Sequence, residues 1–375
     1  MFRLIKEMSK GKARTGELTT GHGVIPTPVF MPVGTAGTVK SVDFITLAEK
    51  IRSQIILGNT YHLYLRPGSD IIHKAGGLHA FMNWTGALLT DSGGYQVFSL
   101  SEIRKLEEDG VIFQSHLDGS RHKFTPQGVI ETQRFFGSDI MMVLDECPPY
   151  PAEREYVRQS LTLTHRWAEE SIRAFRDTRS LYGHRQFLFG IAQGGTYPQL
   201  RKESMEFLSE LDFDGMAIGG LSVGEPAPIM YDITDQCTDW MPRHKPRYLM
   251  GVGTPADLLE CVARGIDMFD CVMPTRNARN GMLFTRHGTL NIRNAKWKDH
   301  FHSPDPEFES DLCRYHTMAY LHHLFKSGEI LGIQLASAHN LTFYTWLMGQ
   351  MRDHIINDTF YDWYPDTAKS VKTKR

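Results

Sequence analysis

The sequence predicts an α/β protein, specifically a (β/α)8 TIM barrel with an inserted hairpin and a C-terminal subdomain. Two observations carry this prediction. Eight short apolar runs, most of them ending at a polar residue or a glycine, follow one another between Thr27 and Met273. Stretches of helical period, such as Glu155–Phe175 and Tyr197–Leu211, separate most of them. Eight alternating strand and helix units are the number that closes a parallel sheet into a barrel.

The strands are predicted at the apolar runs, in the order Thr27–Gly34, Gln54–Asn59, Ala87–Asp91, Ile140–Asp145, Phe187–Gln193, Met216–Gly220, Arg247–Gly251 and Met268–Met273. The gap between the third and fourth runs is unusually long. It contains Val111–Leu117, then the turn residues Asp118-Gly119-Ser120, then Arg121–Thr125. Two strand-like segments around a turn of this composition predict an inserted β-hairpin.

The C-terminal third continues beyond the eighth run. Met282–Ile292 predicts a second small hairpin, and Asp311–Phe325 and Asn340–Asp358 predict helices. We therefore expect one barrel domain over residues 1–375, with residues 282–375 as a C-terminal subdomain packed on the barrel. The basic end Lys369–Arg375 is expected to be frayed.

The composition is that of a globular protein and excludes several classes. Of 375 residues, 41% are hydrophobic and 22% are charged. A formal net charge of -2 excludes binding of nucleic acid through a global positive field, so any such binding depends on a local basic patch. The segment Met1–Gly23 lacks an apolar core of signal-peptide length, and the five cysteines form no C-x-x-C pair. We expect a reducing, cytoplasmic location and no membrane insertion.

Polar residues close several of the apolar runs, and in a parallel barrel they meet at one rim. These residues are Asp91, Asp145, Gln193, the pair Gly219-Gly220, and Asp270. Three acids around one pocket repel one another, and burial raises the pKa of at least one. That favours one ionised nucleophile beside a carboxyl that moves protons. The alternative for each acid taken singly is a helix N-cap.

Asp270 also begins a second pattern. It lies on an apolar run that opens into a basic segment, expected to be a loop, with Arg276 and Arg279. A carboxylate held at a strand end can attack a sugar carbon, and two arginines suit a polyanion. The pairing indicates chemistry on nucleic acid. The alternative is a capping aspartate followed by a solvated loop.

Five long motifs in order identify a family resemblance. They are Thr90–Ser99 (TDSGGYQVFS), Leu144–Cys147 (LDEC), Gly190–Gly195 (GIAQGG), Ile218–Glu225 (IGGLSVGE) and the segment Phe269–Gly281. Over nearly its whole length the chain resembles tRNA-guanine transglycosylase, also called queuine/preQ1 tRNA-ribosyltransferase, of the bacterial type. The resemblance implies exchange of the wobble guanine, at anticodon position 34, in tRNAs with GUN anticodons (Asp, Asn, His and Tyr). The incoming base is preQ1, and the product leads to queuosine.

The resemblance also implies roles for the rim. Asp270 would be the nucleophile that attacks the ribose anomeric carbon, and two displacements would preserve the anomeric configuration. Asp91 would be the general acid and base. The residues implied to bind the exchanged base are Asp91, Ser92, Gly93, Gly94, Tyr95, Asp145, Gln193, Gly220, Leu221 and Met250. Asp145 would read the guanine edge, and Tyr95 and Met250 would sandwich the ring, although core packing is the alternative for Met250.

RNA contacts are implied for two segments. They comprise Gly251, Val252, Gly253, Thr254, Pro255, Ala256 and Asp257, and then Thr275, Arg276, Asn277, Ala278 and Arg279. In the first segment the glycine N–H groups and the following helix N-terminus would face phosphate. The implied partners are the tRNA anticodon stem-loop and, as a homodimer, a second copy of the chain. A valine at Val223 favours preQ1 over the larger queuine, with the Leu221 carbonyl facing its ammonium group and Glu225 holding the peptide behind it.

One departure from the family concerns metal. At the positions of its usual four zinc ligands this chain has Phe308, Ser310, Cys313 and His339. One thiolate and one imidazole are too few for a tetrahedral zinc unless His302, His316 or an acid joins them, so no metal and no cofactor are expected.

Two alternatives from other classes stay open. One is a non-catalytic, tRNA-binding partner subunit, which the three acids disfavour. The other is a barrel nucleosidase or glycosidase, which the arginine segment and the guanine-reading set disfavour.

Overall fold

The computed structural model describes residues 1–100 and 104–375. Its strands are β1 (Phe2–Glu7), β2 (Arg14–Thr20), β3 (Gly23–Thr27), β4 (Val29–Gly34), β5 (Ile55–Gly58), β6 (Ala87–Thr90), β7 (Arg104–Glu107), β8 (Gly110–Gln114), β9 (Arg121–Phe124), β10 (Ile140–Met142), β11 (Phe187–Ala192), β12 (Gly215–Ile218), β13 (Arg247–Leu249), β14 (Met268–Cys271), β15 (Met282–Thr285) and β16 (Gly288–Asn291).

The helices are α1 (Thr60–Leu65), α2 (Ser69–Lys74), α3 (Leu78–Met82), α4 (Gly94–Leu100), α5 (Pro126–Phe136), α6 (Arg154–Asp177), α7 (Pro198–Glu210), α8 (Ala227–Trp240), α9 (Pro255–Ala263), α10 (Met273–Arg279), α11 (Asp311–Tyr315), α12 (Met318–Ser327), α13 (Ile330–Ile356) and α14 (Phe360–Lys372). A π-helical turn, Thr46–Lys50, and a 3-10 turn, Ala295–Trp297, complete them. Among the described helices, none combines the length and apolar character needed to cross a membrane.

A closed parallel barrel forms the centre of the molecule and confirms the predicted fold class. Its strands follow the order β4-β5-β6-β10-β11-β12-β13-β14, and β14 returns to β4 with Met268 opposite Val29. The strands are apolar along most of their length because the barrel interior covers one face and the surrounding helices cover the other. The helical segments between them become α6, α7, α8 and α9.

Strand boundaries differ from the predicted ones in a consistent way. Asp91, Asp145 and Gln193 lie just past the ends of β6, β10 and β11, whereas Asp270 lies inside β14. The run Thr27–Gly34 is not one strand, because Thr27 ends β3 and Val29 begins β4. Between them Pro28 has no N–H with which to continue a ladder.

The predicted inserted hairpin is larger than expected. Its two strands, β8 and β9, pair with Val111 opposite Phe124, and β7 adds a third strand on the outside. A second antiparallel sheet, β1-β2-β3, precedes the barrel and was not predicted. Both additions escaped prediction because their sequences, such as Arg104–Glu107 and Phe2–Glu7, carry charges on exposed edges rather than continuous apolar runs.

Three predictions for the C-terminal third need correction. Asp311–Phe325 is divided into α11 and α12, because Thr317 accepts a hydrogen bond from the Tyr320 N–H and caps a new helix. The long helix α13 begins at Ile330, ten residues before the predicted start at Asn340. The basic end is not frayed, because α14 continues to Lys372 and Lys374 forms a bridge with Thr289. The division of residues 282–375 as a subdomain stays a prediction.

Aspartates precede three barrel strands, Asp139 before β10, Asp214 before β12 and Asp267 before β14. Each carboxylate accepts a hydrogen bond from a backbone N–H at or near the start of a neighbouring strand. The donors are Leu88, Leu188 and Arg247, at 2.9, 3.0 and 2.7 Å. These bonds tie neighbouring strands together at the N-terminal end of the barrel.

The buried ion pair between Arg14 and Asp267 anchors β2 to this end of the barrel. Both side chains are fully buried, and the Arg14 guanidinium also donates to the carbonyls of Arg243 and Lys245, each at 2.9 Å. Removing one partner of a buried ion pair is strongly destabilising, because the other charge stays out of water without a counterion.

We predict that Arg14→Ala lowers the free energy of unfolding by about 3–5 kcal/mol, since it leaves Asp267 buried and without its cation. Urea denaturation followed by circular dichroism measures the change. The matched control is Arg3→Ala, which breaks an ion pair with Glu17 in which the arginine side chain is 71% exposed, and it should change stability little. Equal effects of the two substitutions would contradict the prediction.

Candidate active site

Three carboxylates meet at the C-terminal rim of the barrel, as the sequence predicted. The first, Asp91, is buried just past β6. Its carboxylate accepts hydrogen bonds from the Asn59 side-chain amide at 2.6 Å, the Thr60 backbone N–H at 2.8 Å and the Gly93 N–H at 3.1 Å. Asn59 is itself the N-cap of α1, so a strand end and a helix start together hold Asp91 in place.

The second carboxylate, Asp145, follows β10 and is also buried. Its Oδ2 accepts from the Gln193 side-chain amide at 2.7 Å, and its Oδ1 lies 3.4 Å from the Ser92 hydroxyl. Gly94 packs so closely that an added Cβ would lie 2.7 Å from the Asp145 carbonyl oxygen. The motifs around Ser92, Asp145 and Gln193 therefore meet as one cluster.

The third carboxylate, Asp270, is half-buried at the end of the barrel wall. It accepts hydrogen bonds from the Tyr248 hydroxyl at 2.6 Å and from the Gly251 N–H at 2.8 Å. Both bonds converge on Oδ1. Within residues 1–100 and 104–375, no hydrogen bond reaches Oδ2, so that oxygen keeps its lone pairs for an incoming atom.

Burial raises the pKa of all three carboxyls. Burial, together with repulsion from Asp270, raises the pKa of Asp91 to about 7 despite the backbone bonds from Thr60 and Gly93. Burial raises the pKa of Asp145 to about 6, against the bonds from Gln193 and Ser92. Burial also raises the pKa of Asp270, against the bonds from Tyr248 and Gly251. Near neutral pH, Asp91 is therefore close to half-protonated, while Asp145, with its lower pKa, is mostly ionised.

Gly220 lies against Gln193 at the end of the next strand. Its φ of +64° and the 2.3 Å approach of an added Cβ to Gln193 Oε1 require a glycine there. In the described part of the chain, Gln193 Oε1 is buried without a hydrogen-bond partner. A buried polar atom of this kind marks a place where a ligand can supply the missing partner.

Arg201 supports this part of the rim and was missed by the sequence analysis. It is fully buried, and its guanidinium donates to the carbonyls of Ala192, Gly195 and Gly219 at 2.9, 2.8 and 2.7 Å. The side chain thereby joins the loop after Gln193 to the loop before Gly220. In sequence it precedes Lys202 and resembles a solvent-facing helix residue, so no local signal distinguishes it.

Asn59, Thr60 and Tyr248 were missed as well. Asn59 is the last residue of a predicted strand. The three acids were selected because polar residues end predicted strands, and the same criterion identifies Asn59. Tyr248 lies inside a predicted apolar strand, where a tyrosine looks like core until its hydroxyl is seen on Asp270.

The residues expected to flank a flat ligand differ in exposure. Tyr95, at the start of α4, is 52% exposed, so its ring is available for stacking. Met250 is half-buried and packs against the core, which leaves both of its interpretations open. Leu221 is buried, and Glu225 accepts hydrogen bonds from the N–H groups of Ser222 and Val223. Since the Leu221 carbonyl and the Ser222 N–H belong to one peptide, Glu225 orients that carbonyl.

The basic segment after Asp270 is a helix, not the expected loop. Met273–Arg279 forms α10, with Pro274, Thr275 and Ala278 buried and Arg276 exposed. Among the described residues, neither Arg276 nor Arg279 forms an ion pair, and burial with the nearby charge of Arg276 lowers the pKa of Arg279. Two neighbouring cations without acidic partners suit an anionic ligand.

Several polar groups of the segment Gly251–Asp257 already form hydrogen bonds within the protein. The Gly251 N–H donates a hydrogen bond to Asp270, and the Gly253 carbonyl accepts one from the Tyr344 hydroxyl. Thr254 caps α9 by accepting from the Asp257 N–H at 3.1 Å, and the Asp257 carboxylate lies in the first helical turn. A negative charge at a capped N-terminus disfavours phosphate there, so the expected phosphate contact lacks support from this geometry. The assignment of the segment to RNA stays a prediction.

The four positions matching the family zinc ligands do not fit a zinc ion. His339 Nδ1 lies 3.0 Å from the Ser310 hydroxyl and 3.7 Å from Cys313 Sγ, and its Nε2 bonds the Phe284 carbonyl. Phe308 packs edge-on against the His339 ring. In the described part of the chain, His302 and His316 do not join Cys313 and His339 in any group of three or more metal-capable side chains. Two donors leave a tetrahedral ion half-coordinated.

Comparison with known proteins places this geometry in context. Residues 9–373 match the family described as Queuine tRNA-ribosyltransferase. A protein named queuine tRNA-ribosyltransferase from Thermoanaerobacter pseudethanolicus is 57% identical over 357 residues, covering 95% of this chain and 94% of the relative. One of the same name from Caldanaerobacter subterraneus subsp. tengcongensis is 55% identical over 374 residues, covering 100% of this chain and 98% of the relative. Another from Solibacter usitatus is 52% identical, with 96% of each chain covered.

We predict that Asp91→Asn stabilises the protein at pH 8 by about 4 kcal/mol. The pKa of Asp91 lies above that of an unfolded aspartate. The folded protein therefore holds an extra proton between about pH 4 and pH 7, and its stability falls as pH rises through that window. The asparagine variant has no carboxyl to titrate at this position, so its stability does not fall in the same way. The difference in stability between variant and wild type therefore becomes smaller towards pH 4. Urea denaturation at pH 4.5 and pH 8 measures it.

The control variant should change the stability at pH 8 in the opposite direction. Hydrogen bonds from His79 and His22 outweigh burial and hold the pKa of Asp139 below its usual range. Its ionised form therefore stabilises the fold above the unfolded pKa, and Asp139→Asn should be less stable than the wild type at pH 8. An Asp91→Asn protein less stable than the wild type at pH 8 would refute the assignment.

Proposed function

The chain belongs to the queuine tRNA-ribosyltransferase family, and on that premise we propose that it is a tRNA-guanine transglycosylase. It is a pentosyltransferase that replaces a guanine base in tRNA. The observation that carries the proposal is the arrangement of Asp270 beside Asp91, with Oδ1 of Asp270 held by two donors and Oδ2 open.

The proposed reaction is a double displacement. Oδ2 of Asp270 attacks the ribose anomeric carbon, and the bond from that carbon to the guanine ring nitrogen breaks. The departing guanine takes a proton from Asp91. The incoming base then gives a proton to Asp91 and attacks the same carbon, which releases Asp270. A pKa of about 7 suits Asp91 to both proton transfers, since a group near the ambient pH gives and takes with similar ease.

Base selection is assigned to Asp145, Gln193 and Gly220. An ionised Asp145 accepts from the ring N–H and exocyclic amine of guanine, a donor pair that adenine lacks. The Gln193 amide lies beside Asp145 and Gly220 packs against Gln193, so the Gly220 N–H and the Gln193 amide would meet the base carbonyl. Binding of the base requires the Gln193 amide to give up its bond to Asp145.

The substrate is the anticodon stem-loop, with the wobble guanine at position 34 of GUN anticodons exchanged for preQ1. The base must leave its stack for Asp270 to reach the sugar, and the exposed ring of Tyr95 supports a flipped base. Arg276 and Arg279 suit the neighbouring anticodon nucleotides because no acid in residues 1–100 and 104–375 pairs with them. The Leu221 carbonyl, held by Glu225, suits the ammonium group of preQ1.

Three further properties belong to the proposal. A homodimer is supported by the exposed apolar side chains Phe44, Ile45 and Tyr315, on segments that the Lys50–Asp311 ion pair connects, and light scattering would measure the mass. No zinc is expected beside Cys313 and His339. A cytoplasmic location agrees with free thiols at Cys147, Cys237, Cys261, Cys271 and Cys313.

We predict that Asp270→Ala abolishes exchange of radiolabelled guanine into unmodified tRNA, because the covalent step is lost. Asp145→Asn should lower kcat/KM about 10–100-fold through loss of charge-assisted hydrogen bonds to the base. Asp362→Asn, an exposed acid on α14, is the control and should retain activity. No incorporation by the wild-type protein would favour the partner-subunit alternative, and release of free guanine without incorporation would favour the nucleosidase.

The pH dependence of exchange gives a separate prediction. Asp145 has to be ionised to accept both hydrogens of guanine, and burial raises its pKa to about 6. The value of kcat/KM should therefore rise as pH increases through about 6, and Asp145→Asn should remove that rise. A profile that is flat from pH 5 to pH 7 in the wild type would exclude this role.

A further inference from the structure

We propose that the N-terminal end of the barrel holds a divalent-metal site of the zinc class, built from His22, Asp139 and His184. One ligand atom from each residue lies within 4.8 Å of the other two. The site is at the opposite end of the barrel from the catalytic rim, since Asp139 and His184 precede β10 and β11. It is separate from Cys313 and His339, and it does not depend on the proposed function.

The donors come from three parts of the chain. His22 is in the turn between β2 and β3, Asp139 immediately precedes β10, and His184 lies in the connection from α6 to β11. His22 Nδ1 is 2.9 Å from Asp139 Oδ1. Two donors on a tetrahedral zinc with bonds near 2.0 Å are about 3.3 Å apart, so this pair already has nearly the required spacing. The third donor, from the half-exposed His184, lies within 4.8 Å of the other two and would complete the set by turning towards them.

Asp139 differs from the other two aspartates that precede barrel strands. Asp267 faces the guanidinium of Arg14, and Asp214 faces Arg185 at 2.7 Å. Asp139 is fully buried, and in the described part of the chain its ion-pair partners are the imidazoles of His22 and His79. Imidazole and carboxylate together are the ligands of three-residue zinc sites, in which water takes the fourth position. A guanidinium does not coordinate metal, so only this one of the three positions offers a ligand set.

Neighbouring groups already orient the ligands. His79 stacks on His22 with ring centroids 3.6 Å apart, and its Nε2 lies 3.3 Å from Asp139 Oδ2 and 3.1 Å from the Gly86 carbonyl. His184 Nε2 is 3.0 Å from the Gly137 carbonyl. Bonds to carbonyls and carboxylates are the outer contacts that fix ring orientation in metal sites. The half-exposed rings of His22 and His184 leave a path for an ion to enter.

A bound ion would join the turn between β2 and β3 to the segments that lead into the starts of β10 and β11. That turn otherwise meets the barrel mainly through side chains, since β1-β2-β3 is a separate sheet. The ion would replace the proton on His22 Nδ1, and binding would release it to solvent. The expected effect is stabilisation of the N-terminal sheet without a change at the catalytic rim.

The test uses the full chain, stripped with chelator, with Cys313→Ala in every sample so that the one thiol at the family zinc positions is removed. Zinc chloride is titrated by calorimetry, and crystals soaked in it are measured at the zinc absorption edge. We expect one Zn²⁺ per chain, with an anomalous peak among His22, Asp139 and His184. We also expect the melting temperature to rise with Zn²⁺.

Four variants and one control separate the site from a hydrogen-bonded cluster. His22→Ala and His184→Ala should each weaken Zn²⁺ binding at least about 100-fold, and His79→Phe about 10–100-fold, as outer-contact losses do. His22→Gln keeps a donor to Asp139 and the fold, and should remove the Zn²⁺-dependent rise in melting temperature. His244→Ala, an exposed histidine, should bind as the parent does. Equal binding by the parent and His22→Gln, or an anomalous peak only elsewhere or nowhere, overturns the proposal.

Discussion

Three buried carboxylates at one rim are the constraint on which the rest of the site depends. A carboxylate taken out of water without hydrogen bonds is destabilised by several kcal/mol, so each needs its own donors. Asp91 takes them from the start of α1, Asp145 from Gln193, and Asp270 from Tyr248 and Gly251. The loops around the rim have the shapes that deliver these donors. Gly93, Gly94 and Gly220 are glycines because the backbone has to come this close.

Buried acids have different partners at the two ends of the barrel. At the catalytic rim burial dominates, and it raises the pKa of Asp91, Asp145 and Asp270. At the N-terminal end, Asp139 has two imidazoles and Asp267 has the guanidinium of Arg14. The partners at that end stabilise the fold. At the rim, no ion pair among the described residues neutralises the three acids, which leaves their carboxyls available for chemistry.

In the C-terminal part of the chain, aromatic packing surrounds His339. Phe308 lies against His339, Phe343 and Trp346, and the Ser310 hydroxyl caps α11 while contacting His339. Asn340 on α13 donates to the carbonyls of Pro274 and Met282 and accepts from the Phe284 N–H. The helix α10, which carries Arg276 and Arg279, is thereby fixed to α13. Apolar contacts and one buried amide thus support α10.

The amino-acid sequence by itself determined the barrel and most of its rim. Eight apolar runs separated by stretches of helical period predict a parallel barrel, and they place Asp91, Asp145, Gln193 and Asp270 at one rim. The family motifs then indicated the chemistry. These features are local along the chain, and for that reason a sequence reveals them.

Tertiary structure alone decided which groups hold the carboxylates and how strongly they bind protons. The contacts of Arg201 with Gly219, of Tyr248 with Asp270 and of Arg14 with Asp267 join residues that are far apart or unremarkable in sequence. The same is true of His22 beside Asp139, and of the helix at Met273–Arg279 where a loop was expected. A pKa depends on burial and on charges within a few ångströms, and both arise only when the barrel closes.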